Sequence, residues 1–223
     1  ISYETGTLEI TQKAITVTAD AKSKVYGEED PELTYQITDG ALENEDTLSG
    51  EITREAGEDV GDYAINQGTL ANSNYNISYV SDNLSITKKD LTIAADNKTK
   101  IYGEDDPAFT VSYDGFITGE DKNNLTGTLS FDRDNGEDVG DYTITPSGLN
   151  SSNYDISYET GTLEIIQKAI TVTADAQSKV YGEEDPELTY QITSGSLVNG
   201  DSLTGYLSRE AGEDVGDYTI NQD

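Results

Sequence analysis

Apolar residues recur at every second position through most of this chain. In residues 14–20 (AITVTAD), Ile15, Val17 and Ala19 share one side, and Thr16, Thr18 and Asp20 the other. The same alternation sets Leu33, Tyr35 and Ile37 together in ELTYQIT, and Tyr63 with Ile65 in GDYAINQ. It also aligns Tyr75, Ile77 and Tyr79 in YNISYV, and Leu84 with Ile86 in NLSIT. A period of two over four to eight residues predicts strands with one buried and one wet face, the pattern of antiparallel sheets. Thr, Tyr, Ile and Val supply the matching β-propensity. No stretch carries a sustained helical period; residues 41–48 (ALENEDTL) have room for a single helical turn. Asp-Gly pairs at Asp39 and Asp114, and Asp-Pro pairs at Asp30, Asp106 and Asp185, punctuate the strands as turns. Short strands so spaced predict an all-β, immunoglobulin-like sandwich, with a β-grasp-like unit as the alternative.

The pattern repeats. Residues 1–38 and 156–193 differ only at Thr11/Ile166 and Lys22/Gln177. Tyr-Gly recurs at Tyr26, Tyr102 and Tyr181, and the heptad GEDVGDY at Gly57, Gly136 and Gly212. Both landmarks return every 76 to 79 residues, so the unit is about 78 residues long. The expected division is 1–12 as the end of a preceding repeat, 13–88 and 89–167 as two full repeats, and 168–223 as a partial third. The middle copy is three residues longer around FITGEDKNNLTG, which marks a surface loop.

The joints between repeats carry no linker composition. TLEITQKAITVTAD, SITKKDLTI and LEIIQKAIT pass from strand to strand without Gly or Pro. An extended rod of antiparallel sandwich repeats is therefore expected, each adding roughly 30–40 Å if strands rise at about 3.3 Å per residue.

Composition narrows the chemistry. The 223 residues include no Cys, His, Met or Trp. That removes disulfides, thiolate nucleophiles, the usual zinc sites and any Ser-His-Asp triad. The net charge of −31 repels nucleic acid and anionic membrane and favours cations and basic surfaces. No apolar run approaches the roughly 20 residues of a membrane helix. The chain opens at Ile1 in mid-pattern and is expected to be an excerpt of something longer. No catalytic residue and no cofactor site is assigned, and an enzyme is not expected.

Two acidic motifs bear two readings each. In the heptad, Glu58, Asp59 and Asp62 could ligate calcium, as could Glu137, Asp138 and Asp141, or Glu213, Asp214 and Asp217. Alternatively Asp-x-Gly-x-Tyr followed by Ile65 is a tyrosine corner, the Tyr63 hydroxyl bonding back to its own turn and Gly61 taking the φ > 0 position. The turn at residues 28–31, with Glu28 and Asp30, is either a second calcium contributor or a solvated turn whose φ is set by Pro31. Most Tyr lie on core faces; Tyr206 stands where the other copies carry Glu51 or Thr128 and should be exposed. Asn-x-Ser/Thr triplets at Asn76, Asn83, Asn97 and Asn124 are acceptors only if the source glycosylates its proteins.

The combined pattern K-x-Y-G-E-x-D-P-x-L-T-Y, then R-x-x-G-E-D-V-G-D-Y-x-I, N-Y-x-I-x-Y and G-T-L-x-I resembles the MBG-type (YGX type) tandem repeats of large bacterial surface adhesins. Similar arrays occur in gliding-motility adhesins of Bacteroidota. The resemblance spans the chain; the middle copy departs at Phe109-Thr110-Val111, and the first full repeat has Ser81-Asp82-Asn83 before Leu84. It implies an extracellular, cell-surface stalk whose partners are neighbouring repeats, with surface polysaccharide or host glycan bound through other regions. Rival expectations are repeats that grip glycan or mucin weakly by avidity, or extenders stiffened by calcium.

Overall fold

Repeat 1 forms seven strands: β1 (Lys13–Ala19), β2 (Lys22–Val25), β3 (Tyr35–Asp39), β4 (Thr53–Arg54), β5 (Gly61–Asn66), β6 (Tyr75–Val80) and β7 (Asp82–Thr87). This is a computed structural model and it describes residues 1–198 and 200–222. One sheet has the order β3-β1-β6 and the other β2-β7-β5-β4. The chain changes sheet twice. Asp20 and Ala21 step from β1 to β2, and Ser81 alone steps from β6 to β7, its hydroxyl held by the Ile65 carbonyl at 2.9 Å. Ile15, Val17 and Ala19 are buried at alternate positions of β1, as the period of two requires.

Pairing is mixed, which corrects the antiparallel expectation. β1–β3, β4–β5 and β5–β7 are antiparallel, but β1–β6 and β2–β7 are parallel. Alternation cannot distinguish the two, since side chains alternate in both. The parallel pairs follow from how the repeat ends. β6 and β7 run in the direction in which β1 and β2 entered, so Thr87 passes through Lys88 into the next repeat without reversal. Parallel partners need a long crossover, and residues 26–74 provide it.

Repeat 2 copies this plan with β8 (Lys89–Ala95), β9 (Lys98–Ile101), β10 (Val111–Asp114), β11 (Thr126–Arg133), β12 (Gly140–Asn150), β13 (Tyr154–Glu159) and β14 (Gly161–Ile166). Its sheets are β10-β8-β13 and β11-β12-β14-β9. Lys122–Asn124 form one 3₁₀ turn, capped by the Asp121 carboxylate on the Asn123 N–H. Repeat 3 contributes β15 (Thr171–Ala174), β16 (Tyr190–Ser194), β17 (Leu207–Arg209) and β18 (Ile220–Gln222) as two antiparallel pairs. Residues 41–48 form no helical turn, because Asn44 and Glu45 are left-handed at φ 50° and 62°.

The chain is thus an all-β repeat array, and by compactness it divides into two units. One comprises 1–94, 112–130 and 146–159. Its cores are Ile15, Val17, Leu70 and Tyr75, and Ala19, Ile65 and Leu84, with Ile52 and Tyr79 packed against both. The other comprises 95–111, 131–145 and 160–222, around Ala95, Ile144, Leu163 and Ile165 with Tyr102, Phe109, Phe131 and Tyr142 against them. Each fully buried Leu or Ile contributes about 1.5–3 kcal/mol.

Residues 1–12 form no strand, and Tyr3, Leu8 and Ile10 are exposed. Residues 156–167 have the same sequence apart from Ile166 and build most of β13 and all of β14, where Leu163 and Ile165 are buried.

Candidate functional site

β2 places Lys24 on its inward face, where it is only 6% exposed. An unpaired ammonium there would be costly, and two carboxylates answer it: Asp30 at 2.7 Å and Glu58 at 2.5 Å. Arg54, at the end of β4, closes the ring on the same two acids. Every guanidinium N–H of Arg54 has a partner. Nε and one Nη2 donor reach Asp30, the other Nη2 donor reaches Glu58, and Nη1 donates to the carbonyls of Glu55 (2.8 Å) and Gly57 (2.5 Å). The guanidinium also sits over the Tyr63 ring, 5.4 Å from its centre.

The other copies reproduce the ring. Lys100 and Arg133 bind Asp106 and Glu137; Lys179 and Arg209 bind Asp185 and Glu213. The chain has three arginines, and all three occupy this place. Planar, five-donor geometry explains the choice of Arg over Lys.

Charges in the ring are fixed by their neighbours. Arg54 and then Lys24 pull the Asp30 carboxyl down to about 2 despite partial burial, and Arg209 with Lys179 does the same to Asp185. Lys24 lowers Glu58, and Arg54 adds to it. Burial alone would lower Lys24, but its bonds to Asp30 and Glu58 outweigh that and leave it raised.

The heptad forms the rim of this ring. Tyr63 donates to the Asp59 carbonyl at 2.8 Å, Tyr142 to Asp138 at 2.9 Å and Tyr218 to Asp214 at 2.8 Å. The glycine this turn demands is Gly57, not Gly61. A Cβ on Gly57, at φ +151°, would stand 2.1 Å from Tyr63 Cε1, whereas one on Gly61 would meet nothing within 4 Å.

The acids weighed as calcium ligands do not converge. Glu58 and Asp30 share the ring with two cations. The Asp59 carboxylate accepts from Asn153 of the next repeat at 2.8 Å, and Asp62 from Ser85 at 2.5 Å. Glu28 caps the Val25 N–H at 2.9 Å. Glu137 and Glu213 repeat the role of Glu58, while Asp138, Asp141, Asp214 and Asp217 are exposed. Among the described residues no group of three or more acidic side chains is placed to hold a metal ion. Such a cluster needs oxygens aimed at one point, and here they aim at Lys, Arg, Asn and Ser.

Sequence reasoning missed Lys24 and Arg54. The signal was present: in a chain of 44 acids and 13 bases, the same Lys and the same Arg return in every copy. The loop at residues 116–127, whose extra length marks a surface loop, lays Ile117 and Glu120 against Tyr26 and Gly27 of repeat 1. Tyr206 is exposed, as its position implied.

Neither the curated proteins nor the solved structures contain a match to this chain. The MBG domain (YGX type) family matches three times, at residues 15–85, 91–164 and 170–223. The matches take in the Lys/Arg rings, the tyrosine-locked turns and the Tyr-Gly landmarks of all three copies, and the chain belongs to the MBG domain family, YGX type.

Proposed function

We propose that this chain is a stretch of stalk from a large bacterial cell-surface adhesin, lying outside the cell and holding a distal binding region away from it. The observation that carries this reading is the joint. β7 ends at Thr87 and β8 begins at Lys89, so one extended residue connects two repeats. A joint that short leaves little of the freedom a Gly/Ser linker would supply. In repeats 1 and 2 the strands that enter the repeat run parallel to those that leave it.

Other features fit that task. The ring acids bind the repeat's own Lys and Arg, so the motif reads as scaffold and not as a ligand trap. With no Cys or His, the chain is assigned no catalytic role. Its partners are the neighbouring repeats, while surface polysaccharide or host glycan is engaged by other regions of the protein. The charge of −31 disfavours nucleic acid, and no described helix is long and apolar enough to cross a membrane.

Electron-microscope images of the array test the reading. Beaded rods of constant spacing are expected; compact or randomly bent particles would refute it.

A further inference from the structure

The Tyr-Gly pair that marks each repeat is tied to its own repeat by the tyrosine N–H, Tyr26 to the Thr87 carbonyl and Tyr102 to the Ile166 carbonyl, both at 2.9 Å, but it also faces the next repeat. Gly27 is left-handed at φ +84°, and a Cβ there would fall 2.3 Å from Cγ2 of Ile117, a residue of repeat 2. Gly103, at φ +83°, stands in the same relation to Val198 of repeat 3, at 2.4 Å. In both cases a β-branched aliphatic side chain from the following repeat occupies the space that the missing side chain leaves.

The tyrosine beside each glycine completes the contact. Tyr26 is 7% exposed; its hydroxyl donates to Glu120 of repeat 2 at 2.6 Å, and its ring meets the Tyr154 ring edge-on at 5.5 Å. Tyr154 donates to the second oxygen of the same carboxylate. Burial and Glu120 hold the Tyr154 hydroxyl up at about 12, so it stays a donor at any ordinary pH. Tyr102 likewise donates to Asp201 of repeat 3 at 3.1 Å.

At the first joint the heptad supplies a second contact. The Val60 N–H donates to Asn153 Oδ1 at 3.1 Å, and Asn153 Nδ2 donates to the Asp59 carboxylate at 2.8 Å. The Tyr63 hydroxyl on the Asp59 carbonyl fixes the turn that presents both groups.

Repeat 3 is the internal control. No described residue lies downstream of it to reach Tyr181-Gly182. Tyr181 is 71% exposed, and a Cβ on Gly182 would meet nothing within 4 Å although its φ is +89°. Gly182 thus keeps the left-handed conformation of Gly27 and Gly103.

We propose that Tyr-Gly is a docking socket for the next repeat, recognising an aliphatic knob (Ile117, Val198) followed by a carboxylate (Glu120, Asp201) on that repeat's loop. The motif thereby sets the angle between neighbours as well as the fold of each. This deepens the stalk reading, on which only its purpose rests; the contact itself would hold in an array of any outline.

The chain lacks cysteine, so two introduced at the exposed positions Glu51 and Thr128 take spin labels specifically. Pulsed electron spin resonance on the 223-residue chain then reads the separation of repeats 1 and 2. A single narrow distance distribution is expected. Gly27→Val and Ile117→Asp should each broaden it, Ile117→Val should preserve it, and Gly182→Val should leave it unchanged. Circular dichroism confirms that each variant retains its strands. Gly182→Val carries the same backbone strain without the clash, so it isolates docking from local folding. A distribution equally narrow in Gly27→Val and Ile117→Asp would overturn the socket, whereas the rod itself stands or falls by the images.

Discussion

The Tyr63 hydroxyl bonds the carbonyl of Asp59, four residues back, at 2.8 Å, and the flank of its ring lies where a side chain on Gly57 would be. Tyr63→Phe removes one hydrogen bond to a partly exposed carbonyl and should cost about 1 kcal/mol. Gly57→Ala should cost more, about 1–3 kcal/mol, because the added methyl overlaps the ring. Thermal melts of both variants check the order. The penalty of Gly57→Ala should shrink in a Tyr63→Ala background, where the obstructing ring is gone. An unchanged penalty would mean that φ strain, not the ring, excludes a side chain at Gly57.

Arg54, Lys24, Asp30 and Glu58 make stability depend on acid in a defined window. Asp30 stands at about 2 in the folded chain, below its ordinary 3.8, and Glu58 is also lowered. A carboxylate depressed on folding stabilises the fold at any pH above its unfolded value. That contribution fades as pH falls through the folded value, so the window runs from about pH 4 to about pH 2. Whole-chain acidification also relieves repulsion among surplus acids, so a difference between variants is the clean readout. Arg54→Gln should be less stable than the parent by about 1–3 kcal/mol at pH 7, short of a fully buried pair because the acids are partly solvated. The gap should close near pH 2. Urea titrations at several pH values measure it; a gap independent of pH would place the role of Arg54 in its carbonyl bonds and its stacking on Tyr63.

Corresponding tyrosines of the two full repeats fare differently. Tyr158 accepts from the Leu149 N–H at 2.7 Å and donates to its carbonyl at 3.0 Å. Tyr79 holds the same place in repeat 1, but there the Leu70 carbonyl is taken by Gln67 at 2.9 Å and the buried Tyr79 hydroxyl has no partner among the described residues. Burial accordingly pushes its pKa up. Removing an unsatisfied buried hydroxyl should be neutral or stabilising, by up to about 1 kcal/mol, while removing a satisfied one should cost about 1–2 kcal/mol. Tyr79→Phe and Tyr158→Phe therefore shift the melting midpoint in opposite directions. Equal losses would show that Tyr79 is satisfied in solution.

Strand positions, turns and core faces could be read from the chain because a period of two and dense Gly, Pro and Asp are local signals. What was lost is non-local. Parallel pairing of β1 with β6 leaves no mark on either strand, since alternation is the same in both orientations. Lys24 looks like a solvated base on a polar strand, and only Asp30, Glu58 and Arg54, up to 34 residues away, make it a buried one. Gly57 and Gly61 are equally permissive in sequence; the Tyr63 ring decides between them. Ile117 sits in a loop whose partner is in another repeat, so nothing nearby betrays it. Residues 1–12 and 156–167 make the point most directly. They share eleven of twelve residues, yet only the second segment, with β8, β9 and β12 beside it, forms strands.

In repeat 1, β7 lies between β2 and β5, and in repeat 2, β14 lies between β9 and β12. Repeat 3 has the flanking segments, residues 177–180 and β18, with no strand between them among the described residues. Instead there is a cavity lined by Lys179, Tyr181, Leu188, Arg209, Tyr218 and Ile220. The lining mixes apolar Leu188 and Ile220 with charged and polar groups, and the equivalent place in repeat 2 is filled by β14, where Leu163 and Ile165 are buried. A peptide of residues 154–167, added in trans, should therefore seat as the missing strand pair. It should slow amide exchange at 177–181 and 217–222 and raise the melting midpoint in proportion to the logarithm of its concentration above Kd. Replacing Leu163 by Asp in the peptide should abolish both effects, because the charge would enter a core position. Equal protection by the altered peptide, or none by the parent, would show that the cavity is not a strand site.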